Sequence, residues 1–248
     1  MEPTVLLVFI AALITALATG LGALPLLAAG RGGRAAGKSW VAMGNALAAG
    51  LMLAACFSLI VEGFDYSAGR TLFGVVLGVA LILLADRWLS GRGEVSVAQM
   101  QGADARKVLL IMGIMTAHSA AEGVGVGVAY GGGRELGDFI TIAIALHNVP
   151  EGLAIALVMV PRGAGVGRAA LWSIGSSLPQ PLLAVPAFLF VLWFTPFLPV
   201  GLGLAAGAML WMIFAELLPE AQEAIPGATL GAIVVAAFAA MMGITLLL

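Results

Sequence analysis

The sequence predicts an all-helical integral membrane protein. Its 248 residues are 62% hydrophobic and only 10% charged, and the mean hydropathy is +1.11. Soluble domains carry about 25% charged residues, so an aqueous fold could not bury this much apolar surface. The 34 glycines and the abundant alanines are typical of membrane helices that pack backbone to backbone. We therefore expect lipid to be the solvent for most of the chain.

Apolar runs long enough to cross a bilayer recur along the sequence, and short connections separate them. They predict eight transmembrane helices that form a single transmembrane domain over residues 1–248. The longest connection runs from Ser90 to Lys107 and is rich in glycine, glutamine and charge. The expected spans are 4–29, 40–62, 70–89, 108–130, 138–160, 168–194, 198–218 and 227–248.

Basic residues are distributed unequally between the two sides of this arrangement. Nine of the eleven lie in the connections after spans 1, 3 and 5 or at the span ends beside them, and only Arg70 and Arg134 lie on the other side. Cytoplasmic loops of membrane proteins carry an excess of lysine and arginine. The asymmetry predicts a multi-pass protein of the plasma (inner) membrane with both termini outside the cytoplasm. The net charge of −2 gives no indication of nucleic-acid binding.

A short similarity links span 2 to span 7. The segment 49–53 (A-G-L-M-L), followed by Phe57, matches the segment 206–210 (A-G-A-M-L), followed by Phe214. These spans would cross in opposite directions, as the halves of an inverted repeat do. Such a repeat would relate helices 1–3 to helices 6–8. The alternative is that the same small residues recur by chance in a chain of this composition.

Two predicted spans share one polar motif, H-x-x-x-E-G, at 118–123 and 147–152, and these motifs contain the only two histidines of the chain. A helix places residues i and i+4 on one face, so each motif presents an imidazole beside a carboxylate. Such groups are costly to hold in hydrocarbon, and their nitrogen and oxygen atoms suit zinc and similar divalent ions. The pattern predicts a metal site formed by His118, Glu122, His147 and Glu151.

For one motif alone, a buried hydrogen-bonded pair would be the simpler interpretation, but two copies on neighbouring spans favour a metal ion. Pro150 removes the amide that would bond to the carbonyl of Leu146. Gly123 and Gly152 permit close helix approach or local unwinding. A site made of imidazole and carboxylate ligands, without thiolates, favours metal that is held weakly and can exchange.

Other polar residues at membrane depth have two interpretations each. Pro179 and Pro181 should break or bend span 6, and Gln180 between them either faces a metal pathway or joins two helices. Glu62 ends span 2, and Glu216 and Glu220 lie near the end of span 7, so they are interpreted as interfacial charges. A cation-attracting mouth is the alternative.

The segments H-S-A-A-E-G in span 4 and H-N-V-P-E-G-L-A in span 5 resemble the ZIP family of divalent metal transporters. The later segments S-L-P-Q-P and A-A-G-A-M-L-W-M-I-F-A-E-L-L-P-E are similar to the branch that includes bacterial GufA-like members. The resemblance covers essentially the whole chain. It implies a metal site midway across the membrane, carried by His118, Glu122, His147 and Glu151.

The resemblance also implies features that this chain does not reproduce. Many family members have a second adjacent site that uses the residue after each histidine and a carboxylate from span 6. The corresponding residues here are Ser119, Asn148 and Gln180, all uncharged. This departure predicts one metal ion per transport cycle.

The function implied by the resemblance is transport of zinc, or of Fe²⁺, Mn²⁺ or Cd²⁺, toward the cytoplasm by alternating access, with no cofactor. The oligomeric state is not predicted, and a homodimer is one possibility. One alternative is a proton-coupled carrier of another solute with the His/Glu pairs as proton relays. A second is an intramembrane metalloenzyme, which would need a general base as in H-E-x-x-H. That motif is absent from the sequence.

Overall fold

A computed structural model describes residues 3–29, 34–90, 103–160 and 163–244. Within these ranges every regular element is helical, as the composition predicts. The helices are α1 (Val5–Leu21), α2 (Pro25–Ala29), α3 (Arg34–Ser90), α4 (Ala103–Gly132), α5 (Arg134–Met159), α6 (Val166–Ser177), α7 (Pro179–Trp193), α8 (Leu198–Met212), α9 (Leu218–Gln222) and α10 (Gly227–Ile244). A 3-10 turn (Thr195–Phe197) precedes α8, and a π-helical turn (Ile213–Leu217) joins α8 to α9.

Several helical segments are long and apolar enough to cross a membrane, which agrees with an integral membrane protein. In the described ranges there are five, namely Val5–Leu27, Ala42–Leu84, Arg134–Met159, Val166–Trp193 and Thr195–Gln222, with Gly227–Gly243 as a shorter apolar helix. Most of the predicted long connection, 91–102, lies outside the described residues, as do 30–33 and 161–162. Several basic residues that predict the orientation belong to these segments.

The chain bends sharply within α3. Ser67 has extended backbone angles (φ −172°, ψ 106°) in an otherwise helical segment. A Cβ on Gly63 would lie 2.6 Å from Oγ1 of Thr71, although a continuous helix would hold residues eight positions apart about 12 Å apart. The bend therefore separates the stretches predicted as spans 2 and 3.

The predicted break in span 6 is present. α6 ends at Ser177, Leu178 is the junction, and α7 begins at Pro179. Leu178 keeps right-handed helical angles (φ −57°, ψ −27°), so the missing proline amide produces a junction between two helices rather than a loop. The junction places Gln180 in the first turn of α7, where it is fully buried.

The two helices that carry the motifs pack against most of the bundle. α3 packs chiefly against α8 and also against α5 and α10, α4 packs against α7, α5 and α8, and α1 packs against α5 and α7. The motif glycines permit close approach between helices. A Cβ on Gly152 would meet the carbonyl oxygen of Thr19 on α1, and a Cβ on Gly123 would lie 2.7 Å from Cα of Gln180 on α7. α5 nevertheless remains helical through Pro150. Of the two roles predicted for Gly152, close helix approach is therefore the one present, and the helix does not unwind.

The two segments of the suggested repeat have similar environments. Met52 and Met209 are both buried, and Phe57 and Phe214 are both exposed. Each segment thus turns its methionine toward the protein interior and its phenylalanine toward the outer surface. The similarity of burial is consistent with an inverted repeat, which stays a prediction.

Candidate metal site

The two motifs lie side by side in the interior of the bundle. α4 carries His118 and Glu122, and α5 carries His147 and Glu151. All four side chains are buried, and one nitrogen or oxygen ligand atom from each lies within 4.8 Å of the others. The structure thus brings together the complete set predicted from the H-x-x-x-E-G spacing. That the set binds a metal stays a prediction.

Glu122 is at the centre of this cluster. Its Oε1 lies 2.9 Å from Nε2 of His118 and forms a short hydrogen bond with Nε2 of His147. Its Oε2 accepts a hydrogen bond of 2.5 Å from Nε2 of Gln180. Ligands of a tetrahedral zinc ion lie about 3.3 Å apart. Only modest side-chain movement would therefore bring the four ligand atoms onto a single ion.

A main-chain carbonyl on the side of the ring away from the cluster fixes the orientation of His147. Its Nδ1 lies 3.1 Å from the carbonyl oxygen of Ala143, one turn earlier on α5. A carbonyl can only accept, so Nδ1 must carry the proton. Nε2 is consequently the nitrogen that faces the site. Metal-bound histidines usually donate their second N–H to a carbonyl or carboxylate in this way.

Glu151 is the member of the cluster that receives the fewest hydrogen bonds from the protein. Among the described residues, neither of its carboxylate oxygens has a hydrogen-bond partner, and the same is true of Nδ1 of His118. Its side chain is only 7% exposed. A buried carboxylate without donors is strongly unfavourable. A bound cation would remove that cost, which makes Glu151 the observation that most directly indicates an ion.

The three residues at the predicted second-site positions are all buried. Gln180 contacts the cluster directly, through Glu122, and Asn148 contacts Gln180. Within the described chain, the hydroxyl of Ser119 and Oδ1 of Asn148 have no hydrogen-bond partner. These groups add dipoles next to the cluster and no charge.

Two further residues lie near the cluster, and one of them, Thr15, is not predicted from the sequence. Thr15 of α1 lies with its Oγ1 2.6 Å from Oε1 of Gln180. A threonine in an apolar run gives little signal, although Thr15 and Thr19 share a helix face. Glu216 is half-buried on the π-helical turn and lies close enough to His118 and Glu151 to interact with both electrostatically. Both interpretations of Glu216, an interfacial charge and a cation-attracting group, stay predictions.

Comparison with known proteins identifies the family. The chain is 35% identical over 210 residues to the zinc transporter ZIPB of Bordetella bronchiseptica, which covers 79% of this chain and 67% of that protein. The chain belongs to the ZIP family. It is also 29% identical over 226 residues to the zinc transporter GufA of Myxococcus xanthus, covering 86% of this chain and 88% of that protein. This ZIP member therefore matches the GufA-like branch as well.

A further relative is a putative zinc transporter of Arabidopsis thaliana, which is 48% identical over 218 residues. That match covers 86% of this chain but 34% of the relative, so the chain spans about a third of the plant protein's length. No family model matches the chain. Membership of a transporter family removes the metalloenzyme alternative.

Proposed function

We propose that this ZIP member transports divalent metal cations, zinc above all, through the site formed by His118, Glu122, His147 and Glu151. The observation that carries the proposal is the convergence of these four buried ligand atoms within 4.8 Å. Support also comes from the relatives, which are named as zinc transporters. The metal is the transported substrate rather than a cofactor.

We further propose eight membrane crossings in a single domain of the plasma (inner) membrane, with both termini outside. The bent segment Ala42–Leu84 contains 43 residues, which as helix would extend about 65 Å, roughly twice the apolar thickness of a bilayer. The bend at Ser67 supports two crossings. Lipid contact is supported by large apolar side chains that are exposed on several helices, such as Leu6, Val76, Leu182 and Val235.

Transport by alternating access would move groups of helices against each other around the site. The proposed ligands lie on α4 and α5, which pack against each other; α4 also packs against α7 and α8, and α5 also packs against α1 and α3. In the proposed orientation, Glu151 lies one turn nearer the cytoplasm than His147. Its unpaired oxygens and its proximity to Glu216 support release in that direction.

An exit route would continue along the segment that follows α8. Glu220 lies four residues beyond Glu216 and accepts a hydrogen bond of 3.0 Å from Asn45 of α3. Carboxylates spaced one turn apart would lower the energy of a cation leaving the site. Movement toward the cytoplasm is therefore the direction that the charge distribution favours.

Uptake into proteoliposomes tests the proposal. We expect saturable zinc uptake by the purified protein, with iron, manganese and cadmium competing to different extents. Zinc should also raise the thermal unfolding temperature, because a ligand that binds only the folded state stabilises it. A proton-coupled carrier of another solute would show neither zinc uptake nor zinc-dependent stabilisation, and that result would overturn the proposal.

A further inference from the structure

A chain of buried polar groups runs from α1 to the centre of the cluster. Nδ2 of Asn148 donates to the main-chain carbonyl of Thr15 at 2.7 Å and lies 3.2 Å from Oε1 of Gln180. Oγ1 of Thr15 lies 2.6 Å from Oε1 of Gln180 and 2.7 Å from the main-chain carbonyl oxygen of Ala12, so the two oxygens share its one proton. Nε2 of Gln180 then contacts Oε2 of Glu122 at 2.5 Å. Three helices, α1, α5 and α7, therefore meet behind one carboxylate on α4.

The donor and acceptor roles in this chain follow from its first member. The carbonyl of Thr15 can only accept, so the Asn148 atom facing it must be the amide nitrogen. That nitrogen also faces Gln180, so the nearer Gln180 atom must be the acceptor oxygen. The remaining Gln180 atom, which faces Glu122, is then the NH₂ group. A fixed main-chain oxygen on α1 thus determines that Gln180 presents a donor to Glu122.

We propose that Gln180 is a positioning residue for the metal site, held by Asn148 and Thr15 so that its amide N–H engages Oε2 of Glu122. Oε1 of Glu122 is then the oxygen left to face the histidines and the transported ion. The inference rests on the proposed function. It extends the site to Thr15 on α1, a helix that carries none of the four proposed ligands.

The physical effect of this arrangement is to hold one rotamer of Glu122 before the ion arrives. A carboxylate free to rotate in a buried site must be ordered when the ion binds, and that ordering lowers affinity. Removing a group that orients a metal ligand typically reduces metal affinity about 10- to 100-fold. Because the hydroxyl of Thr15 reaches the cluster only through Gln180, its contribution should disappear when the amide of Gln180 is absent.

The test measures zinc dissociation constants of the purified full-length protein by calorimetry. Gln180→Met keeps the length of the side chain and removes the amide, and we expect its Kd to rise roughly tenfold or more. Thr15→Val should raise Kd by a smaller factor, and Thr15→Ser should restore it because the hydroxyl is retained. In the Gln180→Met background, Thr15→Val should cause no further change, since the two groups act in series.

Ser177→Ala is the matched control. It removes the buried 2.8 Å hydrogen bond between Ser177 and Thr19, which joins α6 to α1 one turn along α1 from Thr15. This variant should lose thermal stability without losing zinc affinity, which separates positioning from general stabilisation. Unchanged Kd in Gln180→Met, or additive effects of Thr15→Val and Gln180→Met, would overturn the inference. Failure of the unmodified protein to take up zinc would instead overturn the proposed function.

Discussion

Nε2 of His147 and Oε1 of Glu122 share one short hydrogen bond, although the opposite nitrogen of the same ring faces the carbonyl oxygen of Ala143 at 3.1 Å. The carbonyl requires a proton on Nδ1, and the contact with Glu122 requires another proton between the ring and the carboxylate. A metal ion would replace this second proton and leave the first in place. Proton and metal therefore compete for the same pair of atoms.

The first prediction is that zinc affinity falls as pH falls. Zinc needs neutral histidine and ionised glutamate, so binding releases protons, and acidification favours the protonated pair. Histidine in model peptides titrates near pH 6.5, and we expect Kd to rise clearly between pH 7.5 and 5.5. Calorimetry in two buffers of different ionisation enthalpy would count the protons released. A Kd that is constant over this range would rule out these ligands.

The second prediction concerns the negative charge of Glu151, whose carboxylate has no hydrogen-bond partner among the described residues. Glu151→Gln keeps the shape of the side chain and removes its charge, so saturable uptake should be lost while the protein remains folded in detergent. His147→Ala should have the same effect. Glu135→Gln is the matched control, because Glu135 lies exposed in the first turn of the same helix. Full-rate uptake by Glu151→Gln would show that the cluster is not the transport site.

The site was largely predictable because its signal is chemical and local. Two histidines in a membrane chain, each followed by glutamate at i+4, predict which four residues cluster without knowledge of the fold. The break at Pro179 was predictable for the same reason, since proline lacks the amide that helix continuation needs.

The supporting residues could not be predicted in the same way. Thr15 reaches Gln180 across 165 positions of sequence, and that contact depends on how α1 packs against α7. The electrostatic proximity of Glu216 to His118 likewise depends on the position of the π-helical turn. Long-range packing of this kind leaves no periodic pattern in an apolar span.

The third prediction assigns a structural role to the motif glycines. Gly152→Ala should destabilise the protein, because the new methyl group would collide with the carbonyl oxygen of Thr19, and backbone atoms cannot rotate away. Overpacking of this kind costs about 1–3 kcal/mol or more. Gly167→Ala on α6, where an added Cβ meets nothing within 4 Å, is the control and should leave stability unchanged. Thermal unfolding in detergent compares the two, and equal unfolding temperatures would refute the role.

The last prediction is a stoichiometry of one ion at the transport site. Two divalent cations a few ångströms apart repel strongly at low dielectric and need several carboxylates to offset that repulsion. Glu122 and Glu151 supply two negative charges, which balance one ion.

The neighbouring positions reinforce this limit. Oε2 of Glu122, which a second ion could otherwise share, is occupied by the amide of Gln180. Asn148→Asp combined with Gln180→Glu replaces two amides by carboxylates, and the double variant should bind a second ion. Calorimetry and metal analysis of the purified proteins would give one ion per chain before the change and two after it. Two ions bound by the unmodified protein would show that neutral dipoles suffice, and the charge argument would fail.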